Sequence, residues 1–543
     1  MRFSWNTGAE ENVLWVCFEI AKKLRDIRLG KDGENMATKN VLAFDLGASS
    51  GRGMLAHFDG KRITLEEVHR FEHNFSMLNG HAYWNILFLM DEMKAGMRKC
   101  QESLSGVGFD TWGVDFGILN RQGDLAGMPG SYRDPALDEE NMRNVLLALS
   151  ELRQGTESGN STAAAMEQAV ASGERYAFEQ TGIASLAYNT LYKLCYMQRY
   201  MPSMLEQTDT ILMLPNLLEY FFSGVKHTEY SIASTTQLYN MHDKCWAEPL
   251  MQKVGIYREW FTDVELAGKD LGMLRTDVAK EVGQDGLHVI SAPGHDTACA
   301  VAAVPSKEDQ YTFLSCGTWS LMGVSSRNML SGPEIIRDKI SNEGTWDGGY
   351  RPTVNIIGLW IQNEIRRNLA AEGKQYNFKQ LADMAEREKP LQSFIRPEDF
   401  MQPGDYPARI REYCKKTGQP VPETDGALIR CVLESLAMKY RQVYLSLKPY
   451  ITWEEKLYMV GGGAQNPLLR QYTANALGIP VITGAAEATA VGNIMAQLRA
   501  LGCYETAQDK CDILAASFET REILPEKVDD WGEAYECFQA LYK

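Results

Sequence analysis

The sequence predicts an α/β protein built from two large halves, and three observations support this prediction. A short apolar run at 41–44 leads into a Gly/Ser turn and a second extended segment, which is typical of two strands joined by a turn. Strand patterns and helix patterns then alternate along the chain. The strand, glycine turn and strand pattern returns at 311–324, so the two halves echo each other and suggest an internal duplication.

Composition and charge exclude several classes of protein. The chain has 543 residues, of which 45% are hydrophobic and 23% are charged, a balance typical of globular rather than disordered proteins. The net charge of −16 is unlike the basic surface that phosphate backbones require, so we expect neither nucleic acid nor an anionic membrane as a partner. No uninterrupted run of about 18 apolar residues occurs, so no membrane-spanning helix is predicted.

The cysteines and histidines indicate a reduced protein without a catalytic zinc. The eleven cysteines are scattered and form no CxxC pair, which is typical of free thiols in a cytoplasmic protein. Cys414 and Cys431 flank a proline-containing turn and are interpreted as two unpaired thiols, with a bridge as the alternative. The eight histidines include no HExxH motif and no His/Cys cluster at zinc spacing.

Breaks in composition divide the chain. Residues 1–36 carry an amphipathic helix pattern without the basic start of a signal peptide, and we expect translation to begin at Met36. A polar loop around 284–294 suggests a first domain over 37–288 and a second over 289–543. A stretch rich in Ala, Ser, Glu and Gln at about 144–172 is interpreted as a surface insertion in the first domain.

The turn at 46–52 has the residue types of a phosphate site. Gly47 and Gly51 permit a tight turn whose backbone N–H groups converge on an anion, while the serines and Arg52 add donors. Asp45 stands just before the turn, where a carboxylate can hold a hydrated Mg²⁺. The turn at 317–320 supplies a second set of donors. Either turn alone is equally typical of an ordinary hairpin.

Other nucleotide motifs are absent or misplaced, apart from one glycine element. No GxxxxGK[ST] motif occurs, and the GxGxxA match at 51–56 is followed by a strand pattern instead of the helix that a dinucleotide site needs. The three glycines at 461–463 follow a strand and precede a helix that begins near Asn466 and Pro467. They remove every Cβ there, so adenine or ribose can lie against the backbone.

Six motifs, in their order along the chain, resemble the FGGY family of carbohydrate kinases, and within it the rhamnulokinases most closely. The motifs are AFDLGASSGR, DTWGVDFGIL, GHDTACAV, SCGTWSLMG, NIIGLW and VGGGAQN. The resemblance covers roughly residues 37–500. It implies an actin-like ATPase (ribonuclease H-like) fold of two domains, with ATP and sugar meeting in the cleft between them.

The same resemblance implies a function. We expect a cytoplasmic kinase, monomeric or a small homo-oligomer, that uses ATP and Mg²⁺ to phosphorylate the 1-hydroxyl of L-rhamnulose in rhamnose catabolism. One alternative is a kinase for another ketose, such as L-fuculose or a ribulose. The other is a regulator on the same fold that binds sugar or nucleotide without catalysis.

Carried over residue by residue, the resemblance divides the site between sugar and nucleotide. The catalytic base is expected to be Asp296, and the sugar is expected to contact Gly113, His295, Asp296, Thr297 and Asn355. ATP is expected to contact Ala48, Ser49, Ser50, Gly51, Arg52, Thr318, Asn363 and Gly462, with Asp45 at the metal. One position departs from the family pattern. Where family members often carry Gln, this chain has Asn363, and a Gln stands one residue earlier at Gln362. Either Asn363 substitutes as a shorter amide or the alignment shifts by one residue.

Four residues also have a purely structural interpretation. Asp296 suits a helix N-cap as well as a general base, but its place between two phosphate turns, with the resemblance, favours the base. His295 suits an ordinary loop as well as a sugar contact. Asp115 either lines the sugar site or ends a strand, and Trp84 is predicted to lie in the core, with stacking on a sugar as the alternative.

Overall fold

The computed structural model describes residues 38–150 and 163–543. The predicted extension over 1–36, with its start at Met36, and residues 151–162 of the predicted insertion lie outside the described residues. The described part contains one six-stranded sheet and one seven-stranded sheet, with a cleft lined by loops from both. The α/β prediction is confirmed.

The first sheet is built around the hairpin that the sequence predicts near its start. Strand Lys39–Leu46 pairs antiparallel with Ser50–Phe58 and parallel with Gly106–Thr111. The central parallel strands are buried, because both faces of the sheet are covered. In spatial order, the strands are Lys269–Met273, His288–Ser291, Gly106–Thr111, Lys39–Leu46, Ser50–Phe58 and Ile63–Glu72.

The second sheet repeats this arrangement. Strand Tyr311–Cys316 pairs antiparallel with Trp319–Ser325 and parallel with Leu457–Val460. The echo in the sequence therefore corresponds to two hairpins, each flanked by a parallel strand. In spatial order, the strands are Ser341–Gly344, Tyr350–Ile357, Trp319–Ser325, Tyr311–Cys316, Leu457–Val460, Val481–Thr483 and Arg521–Ile523.

Short ribbons and helices complete the described fold. The two-stranded ribbons are Phe75–Leu78 with His81–Trp84, Phe116–Leu119 with Thr210–Met213, Thr228–Glu229 with Val264–Glu265, and Tyr239–Asn240 with Cys245–Trp246. The α-helices are Ile86–Lys99, Glu139–Leu149, Ala163–Thr181, Thr190–Tyr200, Pro202–Leu205, Leu214–Ser223, Tyr230–Ala233, Glu248–Lys253, Thr276–Val282, Asp296–Ala302, Pro333–Arg337, Trp360–Ala371, Phe378–Glu386, Tyr406–Lys416, Asp425–Leu447, Pro467–Leu477, Ala488–Ala500, Ala507–Ser517 and Val528–Ala540. Single 3₁₀ turns are Arg258–Trp260, Pro397–Phe400, Lys448–Tyr450 and Gly462–Gln465.

Two helices, which we call the central pair, join the halves below the cleft. They are Asp296–Ala302 and Ala488–Ala500, and they pack against each other and against strands of the first sheet. Gly492 permits the close approach, because a Cβ there would lie 1.8 Å from the carbonyl oxygen of Cys299. The Asn493 amide donates to Asp110 Oδ2 at 2.7 Å, which ties the second half of the chain to the first sheet.

The predicted boundaries can be placed on the described fold. Strand His288–Ser291 begins at the predicted division between 288 and 289 and belongs to the first sheet, and the exact domain limits stay a prediction. Helices Glu139–Leu149 and Ala163–Thr181 contain the two ends of the predicted insertion and pack closely at Gly173, where a Cβ would lie 1.8 Å from Leu146 O. Within the described ranges, no helix is long and apolar enough to cross a membrane.

Candidate active site

A cavity of about 330 Å³ lies where the two hairpin turns approach each other between the sheets. Twelve of the predicted site residues line it, namely Asp45, Ala48, Ser49, Ser50, Arg52, Gly113, His295, Asp296, Thr297, Thr318, Asn355 and Gly462. Two others, Gly51 and Asn363, are not among its lining residues. Motifs that are far apart in the sequence therefore meet in one cleft.

Asp296 lies in the cavity as the first residue of helix Asp296–Ala302. The N-cap of that helix is His295, and no side chain caps it, so the N-cap interpretation of Asp296 is wrong. The Asp296 side chain is 32% exposed, and its Oδ1 accepts a hydrogen bond from Thr297 Oγ1 at 3.1 Å. A carboxylate that is held on one oxygen and open to the cleft is suited to accept a proton from a bound hydroxyl.

His295 is held beneath Asp296 by two buried charged residues. Its Nε2 lies 3.3 Å from Asp296 Oδ1, and its Nδ1 lies 2.6 Å from the NH2 nitrogen of Arg351. The same guanidinium nitrogen lies 2.5 Å from Glu343 Oε2. Burial raises the pKa of Glu343, but the charge of Arg351 outweighs it and holds that pKa below its ordinary value. Glu343 is therefore an ionised partner for Arg351.

The part of the cleft next to the turn at 46–52 carries several acidic side chains around one arginine. The Arg52 guanidinium donates to Asp45 Oδ2 at 2.9 Å and also forms an ion pair with Glu487. Burial raises the pKa of Asp45 to about 6, Arg52 opposes this shift, and the negative charge of Asp296 adds to it. The pKa of Asp110 is also raised, first by burial and then by Asp45. This part of the cleft therefore favours a cation.

The glycines around the cleft serve two different purposes. Around the Cβ position of Gly462 no atom lies within 4 Å, so this glycine leaves open space in the cavity wall. A Cβ on Gly463 would instead lie 2.3 Å from Cys316 Sγ, and one on Gly51 would lie 2.2 Å from the Phe71 ring. Gly51 and Gly463 therefore permit close packing, while Gly462 leaves room for a flat ligand.

Aromatic side chains form one part of the cavity lining, which we call the aromatic wall. Its rings are Trp112, Tyr132, Tyr188 and Trp319, and Ile183, Leu186 and Leu321 add aliphatic surface. Asn355 donates through its amide to the Tyr188 hydroxyl at 3.1 Å, so residues of both halves meet over this wall.

Asp115 and Trp84 lie behind this wall, and the core position predicted for Trp84 is confirmed. The buried Asp115 carboxylate accepts hydrogen bonds from the indoles of Trp84 and Trp112 at 2.6 and 2.8 Å. Val114 beside it has φ 66°, a strained value for a β-branched residue, and its N–H donates to Thr235 Oγ1. Such strain is typical of functional turns, which agrees with the placement of Gly113 and Val114 in the cavity wall.

Two models of known protein families match this chain. The profile described as "FGGY family of carbohydrate kinases, N-terminal domain" matches residues 40–303, and the corresponding C-terminal domain profile matches residues 312–501. The chain belongs to the FGGY family of carbohydrate kinases. Its two-domain fold is therefore the FGGY kinase fold that the motifs predict.

Individual relatives of this FGGY kinase match it over nearly the full length of both chains. A rhamnulokinase of Bacteroides thetaiotaomicron is 36% identical over 508 residues, which cover 92% of this chain and 99% of the relative. A rhamnulokinase of Mannheimia succiniciproducens is 35% identical over 499 residues, covering 90% of this chain and 95% of the relative. A solved xylulose kinase from Rhodospirillum rubrum has a TM-score of 0.71 at 17% identity, with 93% of this chain and 98% of that chain covered, and supports the fold alone.

Sequence reasoning missed several residues of this site. Glu343, Glu487 and Tyr188 line the cavity, and Arg351 contacts it through His295. None of them belongs to a glycine turn. Glu343 and Arg351 face each other on neighbouring strands, and an acidic and a basic residue in buried strand sequences were the available signal. Glu487 and Tyr188 gave no comparable signal, because their roles arise from contacts between segments far apart in the chain.

Proposed function

We propose that this FGGY kinase transfers the γ-phosphoryl group of ATP to the 1-hydroxyl of L-rhamnulose, giving L-rhamnulose 1-phosphate and ADP. The observation that carries the proposal is the Asp296 carboxylate, which opens into a cavity bounded by two glycine turns. A hydroxyl held at Asp296 and a phosphate held at the turns would lie in one enclosed space. The rhamnulokinase relatives support the choice of sugar.

In the chemical step, the protein must hold the two reactants in line and stabilise the charge that moves between them. The 1-hydroxyl oxygen forms a bond to the γ-phosphorus while the bond from that phosphorus to the bridging oxygen breaks, and ADP leaves with those electrons. Asp296 accepts the hydroxyl proton, a contribution of about 10²–10⁴-fold for a general base. Holding both reactants in line makes the larger contribution, because it removes the entropy cost of their encounter.

The two turns suit the phosphate chain of ATP. Backbone N–H groups and hydroxyls at Ala48, Ser49, Ser50 and Thr318 border the cavity, where they can donate to phosphate oxygens. Arg52 adds a cation to the same region, where Asp45 and Glu487 form ion pairs with it. Gly462 leaves space for the nucleoside. We therefore place the nucleotide along the 461–462, 317–318 and 48–52 segments.

The residues near Asp45 fit a magnesium ion. Oδ1 of the buried Asp110 has no hydrogen-bond partner, and the raised pKa of Asp45 reflects its burial among other carboxylates. No group of three or more His, Cys, Asp or Glu side chains in the described part converges on one metal position. This fits Mg²⁺, which binds through one or two carboxylates and takes its other ligands from water and phosphate. Asp45 would hold the ion, and the ion would neutralise phosphate charge.

The apolar part of the cavity suits a deoxy sugar. L-rhamnulose has a methyl group at C6, and the aliphatic side chains Ile183, Leu186 and Leu321 provide a surface that a methyl group can contact without losing hydrogen bonds. A hydroxyl at C6 would be desolvated there. The scattered free thiols support a cytoplasmic location for the enzyme.

A ketose panel tests this proposal. ADP release would be coupled to NADH oxidation for L-rhamnulose, L-fuculose, ribulose and the ketohexose with the configuration of L-rhamnulose and a hydroxyl at C6. We expect the highest kcat/KM on L-rhamnulose. A higher value on another ketose would keep the mechanism and reject the substrate. Tight ATP binding without turnover on any sugar would instead indicate a regulator.

A further inference from the structure

Three buried side chains below Asp296 contact one another: the guanidinium of Arg351, the carboxylate of Glu343 and the imidazole of His295. Arg351 is fully buried, and both Glu343 and His295 are less than 10% exposed. The Arg351 Nε donates to the Gly344 carbonyl at 2.9 Å, and its NH2 nitrogen lies within reach of both Glu343 Oε2 and His295 Nδ1. This guanidinium therefore has a fixed orientation.

A guanidinium can only donate hydrogen bonds, and this decides the proton on the ring. Arg351 NH2 carries two hydrogens, one for Glu343 Oε2 at 2.5 Å and one for His295 Nδ1 at 2.6 Å. A proton on Nδ1 would point at Glu343 Oε2, 3.1 Å away, but it would also bring two donors together at 2.6 Å. Because that contact is repulsive, Nδ1 is the acceptor.

We propose that Arg351 is a positioning residue that fixes His295 in the tautomer with its proton on Nε2, so that a proton of His295 faces Asp296. Nε2 lies 3.3 Å from Asp296 Oδ1, the oxygen that also accepts from Thr297 Oγ1. Both contacts are therefore made by Oδ1. The other oxygen, Oδ2, is left to take the proton of the sugar hydroxyl.

This inference rests on the proposed function only in its last step. The assignment of the ring proton concerns the free protein and holds whether or not the chain turns over a sugar. Its consequence for catalysis is that His295 cannot act as a base at Nε2, because that nitrogen has no free electron pair in this tautomer. Asp296 alone accepts the proton, and Arg351 acts on it through His295.

Nitrogen NMR tests the assignment directly. The intact protein would be produced with ¹⁵N-labelled histidine, and the eight histidines would be compared with a His295→Gln variant to identify the His295 signals. We expect the ¹⁵N shift of an unprotonated nitrogen at Nδ1 and that of a protonated nitrogen at Nε2. A proton on Nδ1, or on both nitrogens, would overturn the proposal without any reference to kinase activity.

Variants at Arg351 test the dependence on the guanidinium. Arg351→Met leaves Glu343 buried without a partner, so the double variant Arg351→Met with Glu343→Gln is included to remove both charges together. In the double variant we expect the His295 ring to populate both tautomers and kcat to fall by about 10- to 100-fold, while KM for ATP stays within about twofold. Arg351→Lys should recover part of kcat, because an ammonium also donates.

A matched control separates this effect from simple loss of a buried ion pair. Arg430 and Glu434 form such a pair at 2.7 Å, on one helix outside the cavity. The double variant Arg430→Met with Glu434→Gln should leave the His295 signals unchanged. An unchanged His295 tautomer and unchanged kcat in the Arg351 double variant would refute the positioning role.

Discussion

Removal of the Asp115 charge should destabilise the protein and loosen the aromatic wall of the cavity. Asp115 is fully buried and accepts from Lys193 Nζ at 2.8 Å, from Trp112 Nε1 at 2.8 Å and from the Tyr132 N–H at 3.1 Å. Trp112 and Tyr132 line the cavity, so a buried carboxylate orients two residues of the proposed sugar site. The perturbation that we choose is Asp115→Asn.

The expected loss in the free energy of unfolding depends on Lys193, because Asp115→Asn leaves its buried ammonium without a counter-charge. The Lys193 side chain is 6% exposed, and its ammonium also bonds to the Gly130 carbonyl. Leaving one member of a buried ion pair uncompensated typically costs about 3–5 kcal/mol of the free energy of unfolding. Replacing both charges by neutral groups of similar size is often close to neutral, so Asp115→Asn with Lys193→Met should recover most of that loss.

Urea denaturation of the wild type, both single variants and the double variant gives the coupling energy from a double-mutant cycle. We expect a coupling of about 2–4 kcal/mol and, in Asp115→Asn, a higher KM for the sugar with an unchanged KM for ATP. The matched control is Lys226→Met, which breaks the part-exposed pair with Asp209 and should cost less than about 1 kcal/mol. An Asp115→Asn cost as small as the control, or additive single effects, would refute the reasoning.

Three further predictions use other parts of the structure. Gly492→Ala should lower the free energy of unfolding by about 1–3 kcal/mol and also lower kcat, because its Cβ would lie 1.8 Å from Cys299 O in the central pair. Measurements of melting temperature and kcat test this, and an unchanged melting temperature would contradict it. Burial raises the pKa of Glu434 to about 7, so its contribution to stability is present below about pH 4.5 and is lost as the pH rises through about 7. The unfolding free energy of Glu434→Gln minus that of wild type should therefore rise by up to about 3 kcal/mol between those pH values, on top of the fixed cost of leaving Arg430 without its carboxylate, and urea titrations that show a pH-independent difference would reject this. Ile183→Ser should reduce the preference for a C6 methyl over a C6 hydroxyl by about 10-fold in kcat/KM, and an unchanged ratio would exclude Ile183 from the methyl contact.

The local parts of the fold were predictable from the sequence, because strands and turns depend on neighbouring residues. Both hairpins, the strand before 461–463 and the helix after it follow the predicted pattern, and the Asn466 side chain caps that helix as its sequence indicates. The segment at 51–56 lies in strand Ser50–Phe58, which removes the dinucleotide alternative as expected. The turn glycines in the family motifs also indicated where the cleft would form.

The rest of the site depends on contacts that no local pattern shows. Arg351 and Glu343 meet because two strands pair, and Glu487 reaches Arg52 from 435 residues away. Gly51 was predicted at the phosphates, and the structure adds a second requirement for glycine there, because a Cβ would meet the Phe71 ring. Asn363 lies on helix Trp360–Ala371 outside the cavity wall, so the family Gln has no counterpart there in the cavity lining.

The most direct test of the whole account compares the wild type with Asp296→Asn in the ADP-release assay on L-rhamnulose. We predict that the variant binds ATP as the wild type does and that its kcat falls by about 10²–10⁴-fold, because Asn cannot accept the hydroxyl proton. Asp530→Asn, on an exposed helix start, is the matched control and should retain full activity. A kcat for Asp296→Asn within about threefold of wild type would show that Asp296 is not the base and would contradict the account.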